Sequence, residues 1–205
     1  MIALFFEVTP RPGQDDSYLR IAASLKPELE ASGGVVFLDR FRSLSRPRVL
    51  LSHQIWADEA SLARWRANRP HHGAQTAGRS AVFEDYRLRV APVVAELGSD
   101  RRVVTTAMGQ PYNDPARRPE RFMVVIQSEP VPFEGDGRET GESYLSVYHQ
   151  GAHAWVGDVS GLEAGMALLG RAALSPKVLA ARLCLVSRDY GMFDRGEAPQ
   201  YFPQV

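Results

Sequence analysis

The strongest secondary-structure signals in the chain lie in residues 35–67, VVFLDRFRSLSRPRVLLSHQIWADEASLARWRA. Apolar and β-prone residues alternate with polar ones in its first part, which predicts two strands, Val35–Phe41 and Val49–Trp56, joined by a proline-containing turn. Asp58 then stands where a helix N-cap is expected, and the residues after it, Glu59–Ala67, have helical spacing. This segment therefore predicts an antiparallel strand pair followed by a helix.

The residues on either side extend this segment into a complete unit of strands and helices. The further predicted elements are a strand over Ile2–Val8, a helix from Asp15 that is kinked at Pro27 and stops at Gly33, a helix from Pro70 through Phe83, and a strand over Asp85–Val90. The resulting order, β-α-β-β-α-β, is that of a ferredoxin-like domain.

The C-terminal half repeats this order less completely. Its β-prone and helical segments are Phe122–Gln127, Tyr144–Tyr148, Ala152–Val156, the helix Gly161–Ala173, and Leu183–Ser187. The polar segment Glu134–Glu142 stands where the first half has its long first helix. Between the halves, residues 92–120 are rich in proline and arginine and contain one short β-prone run, Val103–Thr106. The second half therefore reads as a degenerate copy of the first.

Two units of this kind predict a particular packing. We expect domains at 1–92 and 121–205, with residues 93–120 as a linker. A four-stranded sheet with helices on one face leaves its other apolar face bare, and each half is small for an independent domain. Two such sheets packed face to face would cover both bare faces. The expected fold class is α+β, with two ferredoxin-like (split β-α-β) domains packed sheet to sheet.

Composition argues against several classes of protein. The chain has 24 Lys+Arg and 24 Asp+Glu, so its net charge is zero, without the basic excess of nucleic-acid binders. Its apolar runs are too short to span a bilayer, and residues 1–10, MIALFFEVTP, lack the features of a signal peptide. The single cysteine, Cys184, cannot form an intrachain disulfide and is expected to be an inert buried thiol. We expect a cytoplasmic protein without nucleic-acid or membrane partners.

Part of the first half resembles a known family. Residues 37–65, FLDRFRSLSRPRVLLSHQIWADEASLARW, and residues 69–91, RPHHGAQTAGRSAVFEDYRLRVA, are similar to the antibiotic biosynthesis monooxygenase family of the dimeric α/β-barrel superfamily. The shared features are a strand ending in Trp56, the acidic helix start at Asp58–Glu59, Trp65 on that helix, and the closing DYRLRVA. Members commonly act as homodimers whose two sheets form a barrel. The resemblance implies that this chain carries both halves in tandem and forms such a barrel within one polypeptide.

The resemblance also implies an activity. Quinone-forming members oxygenate an electron-rich phenol or anthrone with O₂ in an apolar cavity, and they need no metal or flavin. For this chain it implies a small aromatic, polyphenolic or quinol-like substrate, O₂ as co-substrate, no cofactor, and a homodimer of the tandem chain as one assembly. Because related proteins have other activities, two alternatives stay open. One is a non-catalytic pseudo-dimer that binds small molecules, and the other is a non-oxidative cyclase or isomerase.

The principal candidate site lies on one face of the strand Val49–Trp56. Its period of two places Ser52, Gln54 and Trp56 on the same face. The resemblance implies a catalytic role for Trp56, because the quinone-forming enzymes have a strand tryptophan implicated in substrate binding. Ser52 and Gln54 would be polar anchors for the substrate, although a related enzyme has an amide side chain at the position of Ser52. The alternative is that Trp56 fills the core between sheet and helices.

Three further residues in the first half are candidates. His72 lies near a helix start and is a candidate catalytic acid or base, because histidine titrates near neutral pH. Adjacent helical residues point in different directions, so at most one of His71 and His72 is expected to face a pocket. Trp65 and Tyr86 are candidate substrate-binding residues, and packing on the sheet is the alternative for Tyr86.

The second half offers weaker candidates. His149 and His153 have the i, i+4 spacing of metal ligands on a helix, but their segment reads as strand–turn–strand, so we expect no metal site. Trp155 precedes Val156, which is the expected equivalent of Trp56. A one-residue difference in register would place Trp155 on the opposite side of its sheet.

Overall fold

The computed structural model describes residues 1–106, 120–134 and 140–199. The described strands are β1 (Ile2–Pro10), β2 (Val35–Ser43), β3 (Leu50–Trp56), β4 (Phe83–Leu97), β5 (Val103–Thr105), β6 (Phe122–Ser128), β7 (Thr140–Ser146), β8 (His153–Val159), β9 (Val178–Leu185) and β10 (Arg188–Gly191). The described helices are α1 (Asp15–Ser24), α2 (Lys26–Ser32), α3 (Glu59–Ala67), α4 (Arg69–Ala77) and α5 (Leu162–Leu174), and a π-helical turn, Gly78–Val82, follows α4. None of these helices is both long and apolar enough to cross a bilayer.

Strands from both halves close into one antiparallel barrel. The order around it is β1-β3-β2-β7-β8-β6-β9-β4, and β4 pairs back onto β1. β10 and β5 pair with β4 outside this ring. The expected α+β class, with two ferredoxin-like halves packed sheet to sheet in one chain, is confirmed.

The first half has the predicted order of elements. α3 begins after Asp58, whose carboxylate accepts a hydrogen bond from the backbone N–H of Ser61 at 2.7 Å and so caps the helix. The helix predicted as kinked is two helices, because Pro27 lies in the first turn of α2, where its missing N–H costs no helical bond. Gly33 ends α2 with a φ of +70°, a conformation that glycine adopts without strain.

The barrel interior is an apolar core that both halves share. The side chains that fill it are Ala3, Phe5, Phe41, Leu51, Ile55, Ala91 and Val93 from the first half, and Met123, Val125, Tyr144, Ala154, Val156, Cys184 and Val186 from the second. Each sheet therefore covers the apolar inner face of the other. Burial raises the pKa of the Cys184 thiol to about 12, which keeps it protonated and unreactive, as expected.

The seam between β2 and β7 closes the barrel through three residue pairs. Side chains from both halves reinforce this short pairing. Arg46 forms ion pairs with Glu7 at 2.8 Å and with Glu142, and the Tyr144 hydroxyl lies 2.8 Å from a Glu7 oxygen. Burial opposes ionisation of Glu142, but hydrogen bonds from Arg46 and Ser43 lower its pKa to about 2. Glu142 is therefore ionised at neutral pH, and the seam is held by opposite charges.

The long strand β4 belongs to both sheets. Its first part pairs with β1 and its second part with β9. The domain boundary predicted at residue 92 lies within this continuous strand, and residues 93–97 of the predicted linker are part of the barrel wall. The division into domains 1–92 and 121–205 stays a prediction. Linker residues 107–119 lie outside the described residues, as do residues 135–139 of the predicted polar loop.

The outer faces of the two sheets are covered differently. Helices α1–α4 cover the first, whereas α5 and the Trp155 ring cover much of the second. The Trp155 ring lies over Gly141 and Gly157, where an added Cβ would meet it at 2.1 and 2.3 Å. The expectation that Trp155 faces the opposite side from Trp56 is wrong. The register of β8 places Val156 inside the barrel and Trp155 on the outer face of its sheet, and Trp56 also lies on the outer face of its own sheet.

The later strands of the second half differ from their predicted positions. β7 ends at Ser146 rather than Tyr148, because the chain turns before β8 begins. β9 starts at Val178, well before the predicted Leu183. The sequence did not indicate β10, which pairs with Arg87–Val90 of β4, the part of that strand that also pairs with β1. This pairing returns the chain to the first half.

His53 is a buried base inside the barrel. Its ring stacks on Phe5 with centroids 4.6 Å apart, and its Nδ1 donates to the Leu4 carbonyl at 3.2 Å. Its Nε2 is buried without a hydrogen-bond partner among the described residues. Burial, assisted by the positive charge of Arg182, lowers the pKa of His53 to about 3. The folded chain therefore holds His53 neutral at a pH where an unfolded chain would protonate it.

This difference predicts a loss of stability in mild acid. The contribution of neutral His53 to the free energy of unfolding is fully present above pH 6.5, the ordinary pKa of histidine. It is lost as the pH falls towards 3. At about 1.4 kcal/mol per pH unit, His53 should lower the free energy of unfolding by about 2 kcal/mol between pH 7.5 and pH 5.0. Urea unfolding at both pH values measures the effect. His53→Gln should lose this part of the pH dependence, whereas His149→Gln, at an exposed histidine, should retain it. Equal pH dependence in wild type and His53→Gln would contradict the assignment.

Candidate functional site

A cavity of about 680 Å³ lies between the outer face of the first-half sheet and the helices that cover it. Much of its wall is apolar, with contributions from Leu4, Phe6, Ile21, Leu25, Leu62 and Val90. Five of the predicted site residues line it: Ser52, Gln54, Trp65, His72 and Tyr86. A volume of this size can enclose a small organic molecule, and such a mainly apolar cleft with a few polar groups is typical of ligand sites.

Trp56 supports the cavity floor without lining it. The side chain is fully buried, and its indole Nε1 donates to Gln54 Oε1 at 2.9 Å. Gln54 Nε2 in turn donates to Ser52 Oγ at 3.2 Å. These two bonds fix the orientation of the amide, with its oxygen towards Trp56 and its nitrogen towards Ser52. The tryptophan that lines the cavity is Trp65 instead.

His71 and His72 both line the cavity, so the expectation that at most one faces a pocket is wrong. His71 is the more enclosed, and its ring stacks on Trp65 with centroids 4.3 Å apart. Its Nδ1 lies 2.9 Å from the Trp65 carbonyl oxygen. Since a carbonyl only accepts, Nδ1 carries the proton and Nε2 keeps its lone pair. Burial lowers the pKa of His71 more than this hydrogen bond raises it, so the ring is a neutral base at neutral pH.

The C-terminal segment forms one wall of this first-half cavity. Arg188, Tyr190 and Arg195 line it from the segment that begins with β10. Arg188 is buried and pairs with Glu59 of α3, and Arg195 donates to the Tyr86 hydroxyl at 2.5 Å. Tyr86 therefore both packs on the sheet and presents its hydroxyl to a residue of the C-terminal segment.

Ion pairs hold this segment in place. The Glu197 carboxylate accepts hydrogen bonds from Arg121 Nη2 at 3.0 and 2.9 Å and from the backbone N–H of Asp189 at 2.6 Å. The Asp189 carboxylate pairs with Arg87 of β4 at 2.7 Å. These partners are far apart in the chain, so motif spacing could not reveal that the C-terminal segment belongs to the site.

Two further polar residues at the site were missed by the sequence analysis. Arg40 lines the cavity from β2, and Tyr18 lines it from α1 beside Arg40 and Ser52. Burial raises the pKa of Tyr18, so its hydroxyl stays protonated. The alternation of β2 contained a signal for Arg40, because Phe37, Asp39 and Phe41 share the other face. Nothing in the spacing of α1 marked Tyr18 as more than a core residue.

The described ranges contain no group of three His, Cys, Asp or Glu side chains arranged to hold a metal ion. His149 lies in the turn before β8, and His153 is the first residue of that strand. Their spacing is therefore not that of neighbours on one helix face.

The amino-acid sequence is similar to those of known proteins. The family model described as "Antibiotic biosynthesis monooxygenase" matches residues 1–77. A protein of Pyricularia oryzae named "Jasmonate monooxygenase ABM" is 36% identical over 212 residues, which cover 99% of this chain and 99% of the relative.

Solved structures match about half of the chain's length. A conserved protein from Methanosarcina mazei is 16% identical, with a TM-score of 0.41, and the match covers 43% of this chain and 88% of that one. A protein from Pseudomonas aeruginosa is also 16% identical, with a TM-score of 0.38, over 52% of this chain and 94% of that one.

The geometry of His71 predicts its tautomer and its titration. Long-range ¹H–¹⁵N NMR at pH 7 should show a neutral ring with its proton on Nδ1, and the titration midpoint should lie below 6.5. His71→Asn identifies the signal by its disappearance, and His72→Asn is the matched control that should leave it in place. A proton on Nε2, or a midpoint at or above 6.5, would contradict this arrangement.

Proposed function

Because the chain belongs to the antibiotic biosynthesis monooxygenase family, we propose that it oxygenates a small, largely apolar molecule with O₂ in the first-half cavity. The observation that carries this proposal is that an apolar wall, an oriented amide and a histidine with a basic ring nitrogen meet in one cavity. Such a site can separate a substrate from water and accept a proton from it. The name of the full-length relative supports the same reaction type.

The substrate class that we propose is an aromatic polyphenol, anthrone or quinol. For an anthrone, a base removes a proton from the ring CH₂, and the resulting carbanion transfers electrons to O₂ and forms a C–O bond. The hydroperoxide then loses water, so the balance is R₂CH₂ + O₂ → R₂C=O + H₂O. The substrate supplies all four electrons, and the reaction needs no external reductant.

The floor residues orient the substrate. We propose that the second N–H of Gln54 and the Ser52 hydroxyl bind a phenolic or carbonyl oxygen. Trp56 acts as a positioning residue, because its indole N–H holds the Gln54 amide in place at 2.9 Å. A related enzyme has an amide side chain at the position where this sequence has Ser52. Gln54, two residues further along the same strand, supplies an amide next to that position.

The wall residues supply the base and the enclosure. We propose His71 as the base, since the Trp65 carbonyl and ring fix its orientation and leave Nε2 unprotonated. His72, predicted as catalytic from the sequence, is exposed on the same helix and is the second candidate for this role. Trp65 of α3 and Tyr86 of β4 would contact the aromatic rings of the substrate.

A jasmonate-like carboxylic acid is a second candidate substrate. The relative's name and the five arginines among the cavity residues favour it, because jasmonate joins an apolar ring and chain to a carboxylate. Hydroxylation of a C–H bond follows R–H + O₂ + 2e⁻ + 2H⁺ → R–OH + H₂O. A reduced nicotinamide or reduced flavin would have to supply the two electrons, so the two candidates differ in their need for a reductant.

Oxygen uptake and product mass test the proposal. Purified protein is assayed with anthrones, hydroquinones and jasmonate, each with and without NADPH and FMN, under ¹⁸O₂. We expect one ¹⁸O atom in the product. His71→Asn should lower kcat by about 100-fold, the usual contribution of a general base. The wild-type rate should fall on acidification only below pH 6.5, because the pKa of His71 is lowered.

The variants separate the assigned roles. His72→Asn is matched to His71→Asn, and a larger loss in His72→Asn would assign the base to His72. Trp56→Phe keeps an aromatic side chain but removes the donor to Gln54, and it should lower kcat about 10-fold. Tight binding without turnover would support the non-catalytic alternative, and a product of unchanged mass would support a cyclase or isomerase. Either result would overturn the monooxygenase proposal.

A further inference from the structure

The charges around the cavity are one-sided. The whole chain has a net charge of zero, yet five arginines line this cavity, and Glu59 is the one carboxylate among the described lining residues. The arginines are Arg40, Arg66, Arg79, Arg188 and Arg195. Glu59 is already paired with Arg188. A cavity with this excess of positive charge attracts anions and disfavours cations.

Arg40 is the arginine at the polar floor. It lies on β2, and its Nε is buried without a hydrogen-bond partner in the part of the chain that the structure describes. The adjacent Asp39 points into the barrel, where its carboxylate accepts a hydrogen bond from Ser146 at 2.8 Å. This carboxylate is thus held on the other face of the strand. A buried donor without an acceptor costs free energy, and a ligand oxygen that accepts its hydrogen bond recovers that cost.

Tyr18 adds a neutral donor beside this cation. Its side chain is buried against both Arg40 and Ser52, and burial raises the pKa of its hydroxyl. The group therefore stays protonated and can donate a hydrogen bond. A planar guanidinium next to a hydroxyl donor matches the two lone-pair directions of a carboxylate, or the single oxygen of a phenolate.

We propose that Arg40 and Tyr18 form a subsite that binds an anionic oxygen of the substrate, a carboxylate or a phenolate, and so select which molecules the cavity accepts. This inference rests on the proposed function, because it names the substrate class of the same cavity. Tyr18 adjoins Ser52, which accepts a hydrogen bond from Gln54 at 3.2 Å. An anion held at Arg40 therefore places the rest of its molecule against the Gln54 amide and the apolar wall.

Binding of two matched pairs of probes tests the subsite. Jasmonate and methyl jasmonate differ in a carboxylate, and alizarin and its dimethyl ether differ in a phenolate at pH 8. Titration calorimetry gives the Kd of each without any turnover. Arg40→Met should raise the Kd of the anionic member of a pair by about 10- to 100-fold and change the neutral member by less than about 3-fold. Arg40→Lys should keep part of the affinity for the anionic member. Tyr18→Phe should raise its Kd by less than Arg40→Met does.

The matched control is Arg42→Met. Arg42 lies two residues further along the same face of β2, pairs with Asp15 at 3.7 Å and is exposed outside the cavity. It should leave every Kd unchanged, and circular dichroism and thermal unfolding show that each variant is folded. The probe pair whose anionic member loses affinity in Arg40→Met identifies the bound anion as a carboxylate or a phenolate. Equal affinity for the anionic and neutral members in wild type, or equal effects of Arg40→Met and Arg42→Met, would overturn the subsite.

Turnover is measured separately. Anion-selective binding that depends on Arg40 but is followed by no oxygen uptake would overturn the monooxygenase proposal and support the subsite. Oxygen uptake with the same KM in wild type and Arg40→Met would overturn the subsite and leave the monooxygenase proposal intact.

Discussion

Closure of the barrel is the constraint on which the rest of the structure depends. Each sheet has an apolar inner face that the other half covers, so either half alone would expose that face to water. One side of the barrel closes through β4, a continuous strand that pairs with both sheets. The other side closes through the short β2–β7 pairing, where Arg46 joins Glu7 and Glu142 across the seam. Once the inner faces are buried, the two outer faces are free to differ.

The two outer faces have diverged in a way that concentrates the proposed chemistry in one half. Helices α1–α4 stand over the first sheet and leave the cavity beneath them, whereas the Trp155 ring packs closely onto the second. The second half contributes in another way, because its C-terminal segment crosses to the first half and brings Arg195 to the Tyr86 hydroxyl. A single chain therefore uses one half for the cavity and the other for barrel closure and one cavity wall.

The order of elements in the first half could be predicted because its signals are local. The Asp58 cap and the alternation that places Ser52 and Gln54 on one face both depend on neighbouring residues. The sequence could not show that Trp56 points its N–H at Gln54 instead of lining the cavity, since side-chain hydrogen bonds depend on the packed helices above. It also could not show the wall that the C-terminal segment forms. That wall rests on pairs such as Arg121 and Glu197, which meet only in the folded chain.

In our proposal, the first-half cavity binds an apolar molecule by an anionic oxygen. A crystal structure of the protein with jasmonate or alizarin bound would test it most directly. We expect the ligand between the sheet and α1–α4, with its charged oxygen within hydrogen-bond distance of Arg40 and its ring near Trp65. A ligand bound inside the barrel, at the barrel end beside His149, or on the outer face of the second half would contradict the account.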